Sequence, residues 1–135
     1  MPHQDRPNAA ALAVLIVLQV IMLTALYAAV PPHPPVSTPM FGMAPFIGAG
    51  LSAAVSALMM GSVNSGGGRV LSGLAMVLAL ISFGPQKYLD EQIALIWPAV
   101  VAGQLAAGVI FVRIARAVLQ KKVSDQRGDL AQGAA

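Results

Sequence analysis

The chain contains no cysteine, which excludes a disulfide framework and any thiolate metal site. Charge is scarce as well. Asp, Glu, Lys and Arg make up 10% of the 135 residues, against about a quarter in ordinary soluble domains. The two histidines, His3 and His33, both fall outside the long apolar runs. A haem between helices would then depend on methionine, and Met40, Met43, Met59, Met60 and Met76 read instead as packing or lipid-facing residues. No serine has an activating base near it in the pattern. These shortages argue against an enzyme and imply no cofactor and no metal site.

What the sequence has in quantity is apolar side chains, 57% of all residues, with a mean hydropathy of +0.75. The length suits one domain. Four apolar stretches predict helices over residues 9–30, 44–62, 69–84 and 92–119. At about 1.5 Å per residue the first run reaches across a hydrocarbon layer of about 30 Å. It exceeds the usual apolar core of a signal peptide, and Tyr27 spoils the small-residue cleavage pattern, so it reads as a retained helix. The third run is short: residues 70–83 cover about 21 Å. It has to stand upright, draw in residues 66–68, or run past Pro85. The fold class expected is therefore all-α, a polytopic membrane protein with four transmembrane helices making one domain over residues 1–123.

The connectors carry the breaker residues. A proline-rich segment over residues 30–39 ends the first helix and carries His33, read as a solvated loop residue. Pro45 should fall in the first turn of the second helix, where proline is tolerated. Asn64-Ser65-Gly66-Gly67-Gly68 reads as a flexible turn; it lacks the spacing and the terminal Lys-Ser/Thr of a phosphate-binding loop. Gly84-Pro85 stops the third helix, and Tyr88 and Trp97 suit an interfacial belt. The polar tail over residues 124–135 is expected to be disordered.

Small residues supply the packing pattern. Ala49, Ala53, Ala57 and Gly61 recur every fourth position on the second helix, and Ala99, Gly103 and Ala107 on the fourth. Such rows let membrane helices approach closely, which makes these two helices expected partners. Two amides lie deep in the runs, Gln19 and Gln104. Counted from one edge they sit at similar depth, and an unpaired amide in hydrocarbon is costly. The expectation is that they face each other or line a wet path. No ionisable residue occupies the middle of any run, which removes the usual mark of proton relays and coupled transport.

The cations are distributed unevenly. Arg6, Arg69, Arg113, Arg116, Lys121, Lys122 and Arg127 fall on one side of a four-span layout, and Lys87 alone on the other. The net charge of +3 therefore reads as a topology signal rather than a nucleic-acid surface, and places both termini in the cytoplasm. Arg113, Arg116, Lys121 and Lys122 form a juxtamembrane patch suited to anchoring or to anionic lipid.

The segment Phe41-Gly42-Met43-Ala44-Pro45-Phe46, leading into the small-residue run of residues 47–61, resembles the small four-helix membrane subunit of tripartite tricarboxylate transporters. The resemblance implies an accessory or structural subunit of a larger complex in a bacterial-type inner membrane, such as a solute transporter, with other membrane subunits as partners. The alternative carried by the residues alone is a homo-oligomeric channel or carrier with Gln19 and Gln104 along its path.

Overall fold

The structure, a computed structural model, describes residues 5–31 and 39–133. His3, His33 and most of the proline-rich connector lie outside the described residues. The chain forms four helices: α1 (Arg6–Ala28), α2 (Met40–Met59), α3 (Gly66–Phe83) and α4 (Ile93–Gly133). Short 3-10 turns at Ser62–Asn64 and Pro85–Leu89 join the last three, and no strand occurs among the described residues. All four helices are long and apolar enough to cross a membrane.

Local chemistry sets the ends. Pro7 sits in the opening turn of α1, where its missing amide proton costs nothing. Ala29 closes α1 in the left-handed conformation (φ 51°), which lets Ala29 and Val30 amides return to Leu26 and Ala25 carbonyls. Gly61 ends α2 at φ 81°, a position that favours glycine. Ser65 caps α3: its Oγ accepts from the Gly68 amide at 2.9 Å. That cap turns the glycines expected to form a flexible turn into the first turn of α3. With residues 66–68 drawn in, α3 has 18 residues and spans about 27 Å. At its far end Gln86 Nε2 donates to the Leu80 and Ile81 carbonyls at 3.0 and 2.7 Å, satisfying groups that a helix C-terminus leaves open.

The boundaries of α2 and α4 also differ from expectation. α2 starts at Met40, so Pro45 lies inside the helix rather than in its first turn. α4 does not fray near residue 119: it continues through the polar tail to Gly133, 41 residues in all, about 61 Å. Residues 120–127 contain good helix formers and no proline, and one glycine at 128 costs about 1 kcal/mol without breaking the helix.

The helices form a ring in chain order. α1 packs on α2 and α4, and α3 packs on α2 and α4. α2 and α4 lie on opposite corners and their backbones do not approach each other among the described residues, so the expected α2–α4 pairing is corrected. The reason is the other diagonal. Leu12 and Leu15 of α1 and Ser72, Ala75 and Ala79 of α3 are all buried. With small residues on α3, these two helices meet across the centre and hold α2 and α4 apart.

Candidate functional site

The two ends of this ring are built differently. At one end the start of α1 is tied to the α2–α3 turn by buried polar groups. Asp5 Oδ1 accepts from the Val63 amide at 3.4 Å, and Asp5 Oδ2 from Asn64 Nδ2 at 3.1 Å. Asn8 Nδ2 donates to Ser62 Oγ and, at 3.3 Å, to Ser72 Oγ. Asp5, Asn8, Ser62 and Ser72 are all buried, and Ser62 is held at φ 54°, uncommon for a residue other than glycine. Arg6 and Arg69 flank this cluster, and Ile114 of α4 lies over Gly73 of α3, so the basic half of α4 runs past the same end. This is the basic end.

At the other end α2 and α4 begin, and each carries a proline six residues in, Pro45 and Pro98. A proline there has no amide to return to the carbonyl four residues back. Each start therefore loses a rung, at Phe41 and at Ala94. Between these starts, the end of α1 and the end of α3 lies a cavity of about 470 Å³. Its wall is apolar, with Met22 and Ala25 from α1, Phe46 and Ile47 from α2, Phe83 from α3 and Ile96 from α4 among the lining residues. The Pro85–Leu89 turn and the segment after it bring Lys87, Asp90 and Gln92 to the edge. Lys87 Nζ donates to Asp90 Oδ2 at 3.0 Å, and the Gln92 amide donates to Asp90 Oδ1 at 3.0 Å. The Gln92 amide and the Lys87 ammonium hold the Asp90 carboxyl below its ordinary range. Gln92 Oε1 is shielded from solvent and has no partner among the described residues.

The small-residue rows are only partly the packing faces. Ala53 and Ala57 are buried, whereas Ala49 is exposed and Gly61 lies in the turn beyond α2. The buried face of α2 runs through Ile47, Gly50, Ala53, Ala54 and Ala57. This face shifts by three and four residues, as helical geometry requires, and a strict four-residue count drifts off it. On α4, Gly103 and Ala107 are buried and Ala99 is half-buried, lining the cavity. A side chain begun at Gly103 would stand 2.9 Å from Phe83 Cβ and 3.6 Å from Leu18 Cδ1, so α3 and α1 close on α4 there.

That contact puts Gln19 and Gln104 at similar depth on neighbouring helices, yet no hydrogen bond joins them among the described residues. Gln104 Nε2 donates to the Phe83 carbonyl, and its Oε1 accepts from the Tyr88 hydroxyl, both at 3.3 Å. Gln19 is buried and turned to α2: a Cβ at Gly50 would lie 2.6 Å from its Nε2. Counting residues gives rise along a helix but not the direction a side chain faces, and here the directions diverge. The two amides do not line one path. Thr24 spends its hydroxyl on the Val20 carbonyl, 2.8 Å away.

Of the cation patch, Arg116, Lys121 and Lys122 are exposed, and Arg113 is half-buried with Nε shielded and unpaired. Asp5, Asn8 and Gln92 are the residues the sequence pattern did not single out. For the first two a signal exists: polar residues immediately before a long apolar run mark a helix start. No group of His, Asp or Glu among the described residues is placed to hold a metal ion. Comparison with protein-family models, curated proteins and solved structures gives no match for the chain.

Proposed function

We propose that the protein is a small multi-pass membrane protein that serves as an accessory or structural subunit of a larger membrane complex, such as a solute transporter of a bacterial-type inner membrane. In this reading α1–α4 cross the bilayer with both termini in the cytoplasm. Support for the sidedness comes from the basic end, which gathers Arg6, Arg69 and the cations of α4, against Lys87 alone at the proline end.

The observation that carries the reading is the contrast between interior and exterior. Among the described residues no ionisable side chain lies in the middle of the bundle, and the centre is filled by Leu12, Leu15, Ala75 and Ala79. Outside, each helix presents large apolar side chains: Ile21 on α1, Val55 on α2, Val70 on α3 and Leu105 on α4 are exposed. A bundle with no ionisable group in its middle acts chiefly through its outer faces, which meet lipid or other subunits.

Purification from native membranes in a mild detergent tests this. The expected result is a stable hetero-complex containing at least one further multi-pass protein. Recovery only as a monomer would contradict the subunit reading. Recovery as a symmetric self-oligomer would favour the second reading, a stand-alone homo-oligomeric carrier, whose support is the cavity at the proline end.

A further inference from the structure

Protein interiors are packed as densely as organic crystals and hold few voids larger than a water molecule. The proline-end cavity is a partly open cleft of about 470 Å³, within the range of ligand sites. Its wall is apolar and its edge is polar, as an amphiphile is. Lys87 supplies one cation at that edge, already paired with Asp90. Beside it are two acceptors, the Asp90 carboxylate and Gln92 Oε1, and the latter is shielded with nothing to accept from among the described residues. The one cation is already paired, so the edge has no surplus positive charge, and Gln92 Oε1 is the acceptor left without a donor among the described residues.

We propose that this cavity seats one acyl chain of a membrane phospholipid whose headgroup is zwitterionic and carries a primary ammonium. The inference rests on the membrane reading above. The chain fills the space between Met22, Phe46, Phe83 and Ile96. At the edge the headgroup phosphate meets Lys87 Nζ, and the ammonium donates to Asp90 and to Gln92 Oε1. An ethanolamine headgroup has N–H donors to give; a choline headgroup has none and leaves Gln92 Oε1 unpaired. A glycerol headgroup has hydroxyls to offer Gln92 Oε1, but it brings a net negative charge to an edge whose one cation is already paired with Asp90. The preference is thus opposite to that of the cation-rich end, where anionic lipid is favoured.

The full chain, purified in mild detergent and exposed to equimolar ethanolamine, choline and glycerol phospholipids of matched acyl chains, tests this by native mass spectrometry. One phospholipid per chain is expected, with the ethanolamine class enriched several-fold over choline. Ala99→Phe and Gly42→Leu, from opposite corners of the ring, narrow the cavity and should abolish retention while the helical melting curve is kept; a Cβ at Gly42 meets nothing within 4 Å. Gln92→Leu should retain lipid and lose the ethanolamine preference. The parent competition decides the matter even where a filling variant fails to fold. No retained lipid, a preference for the glycerol class, retention unaffected by both filling variants, or release of a small apolar non-lipid in place of phospholipid would each overturn the proposal. Extraction of cell membranes at alkaline pH separates the two levels. A protein that leaves the membrane contradicts the membrane reading itself, whereas one that stays but retains no lipid contradicts only the cavity assignment.

Discussion

The basic end and the proline end of the bundle close the ring of helices in opposite ways. At the basic end the turn between α2 and α3 folds onto the start of α1: Asp5 accepts from the Val63 amide and Asn64, and Asn8 Nδ2 donates to Ser62 and Ser72, out of solvent. At the proline end α2 and α4 each forgo a backbone rung at Pro45 and Pro98, and an apolar cavity remains between the helices. Short polar side chains draw backbones together and specify one arrangement. Proline pairs with an open apolar space that something else has to fill. One end is therefore built for rigidity and the other for occupancy.

The strongest way to break that contrast is through packing. Ala57 is fully buried, toward the basic end of α2, and Ala57→Leu should cost about 1–3 kcal/mol by overpacking. Gly48, nearer the proline end of the same helix, has open space around a notional Cβ, so Gly48→Ala should melt no lower than the parent. Thermal unfolding of both variants in detergent checks the pair, and equal losses would remove the distinction. The polar cluster comes next. Asn8→Ala removes two hydrogen bonds and should cost about 1–3 kcal/mol, with faster hydrogen exchange confined to the start of α1 and the α2–α3 turn. Exchange that rises first at the Pro85–Leu89 turn would place the rigid end elsewhere.

A smaller effect is expected at the amides. Gln104→Leu should cost about 0.6 kcal/mol, the average for interhelical polar contacts in membrane proteins. In a double-mutant cycle with Gln19→Leu the coupling should be near zero, since Gln104 bonds Phe83 and Tyr88 while Gln19 faces Gly50. A clear coupling energy would restore the direct pair. The smallest effect is at Asp90. Its pKa is lowered in the folded state from 3.8, so its contribution is fully present above that value and is lost as pH falls through the lowered one. Asp90→Asn should therefore melt below the parent near neutral pH, by about 0.3–0.5 kcal/mol for a half-buried ion pair at the bundle's edge. The gap should close in acid below 3.8.

Much of this architecture was legible in the sequence because bilayer-length apolar runs and proline or glycine breaks are one-dimensional signals. The four helices, the cation asymmetry and the depth of Gln19 and Gln104 follow from counting. What counting misses is direction around a helix. Ala49 belongs to the same four-residue row as Ala53 and yet is exposed, because that row precesses around α2 while the buried face follows the 3.6-residue turn. The start of α3 turned on a single bond, Ser65 to the Gly68 amide, which made helix of glycines that composition assigns to a turn. The tail differs from expectation for a related reason: polarity in residues 124–133 argues against a core, but it does not argue against a helix that grows out of α4. The cavity edge had no sequence signal, since Gln92 becomes notable only once its oxygen is seen shielded and unpaired.

The central claim is that the two ends face opposite sides of a membrane, with the basic end in the cytoplasm. Because the chain has no cysteine, single cysteines report on it cleanly. Ser124 on α4 beyond the basic end and Glu91 at the proline end are both exposed. In intact cells an impermeant thiol reagent should label Glu91→Cys from outside and leave Ser124→Cys unlabelled until the membrane is opened. Labelling of Ser124→Cys alone would reverse the orientation, and labelling of neither or both before lysis would contradict the four-span membrane account.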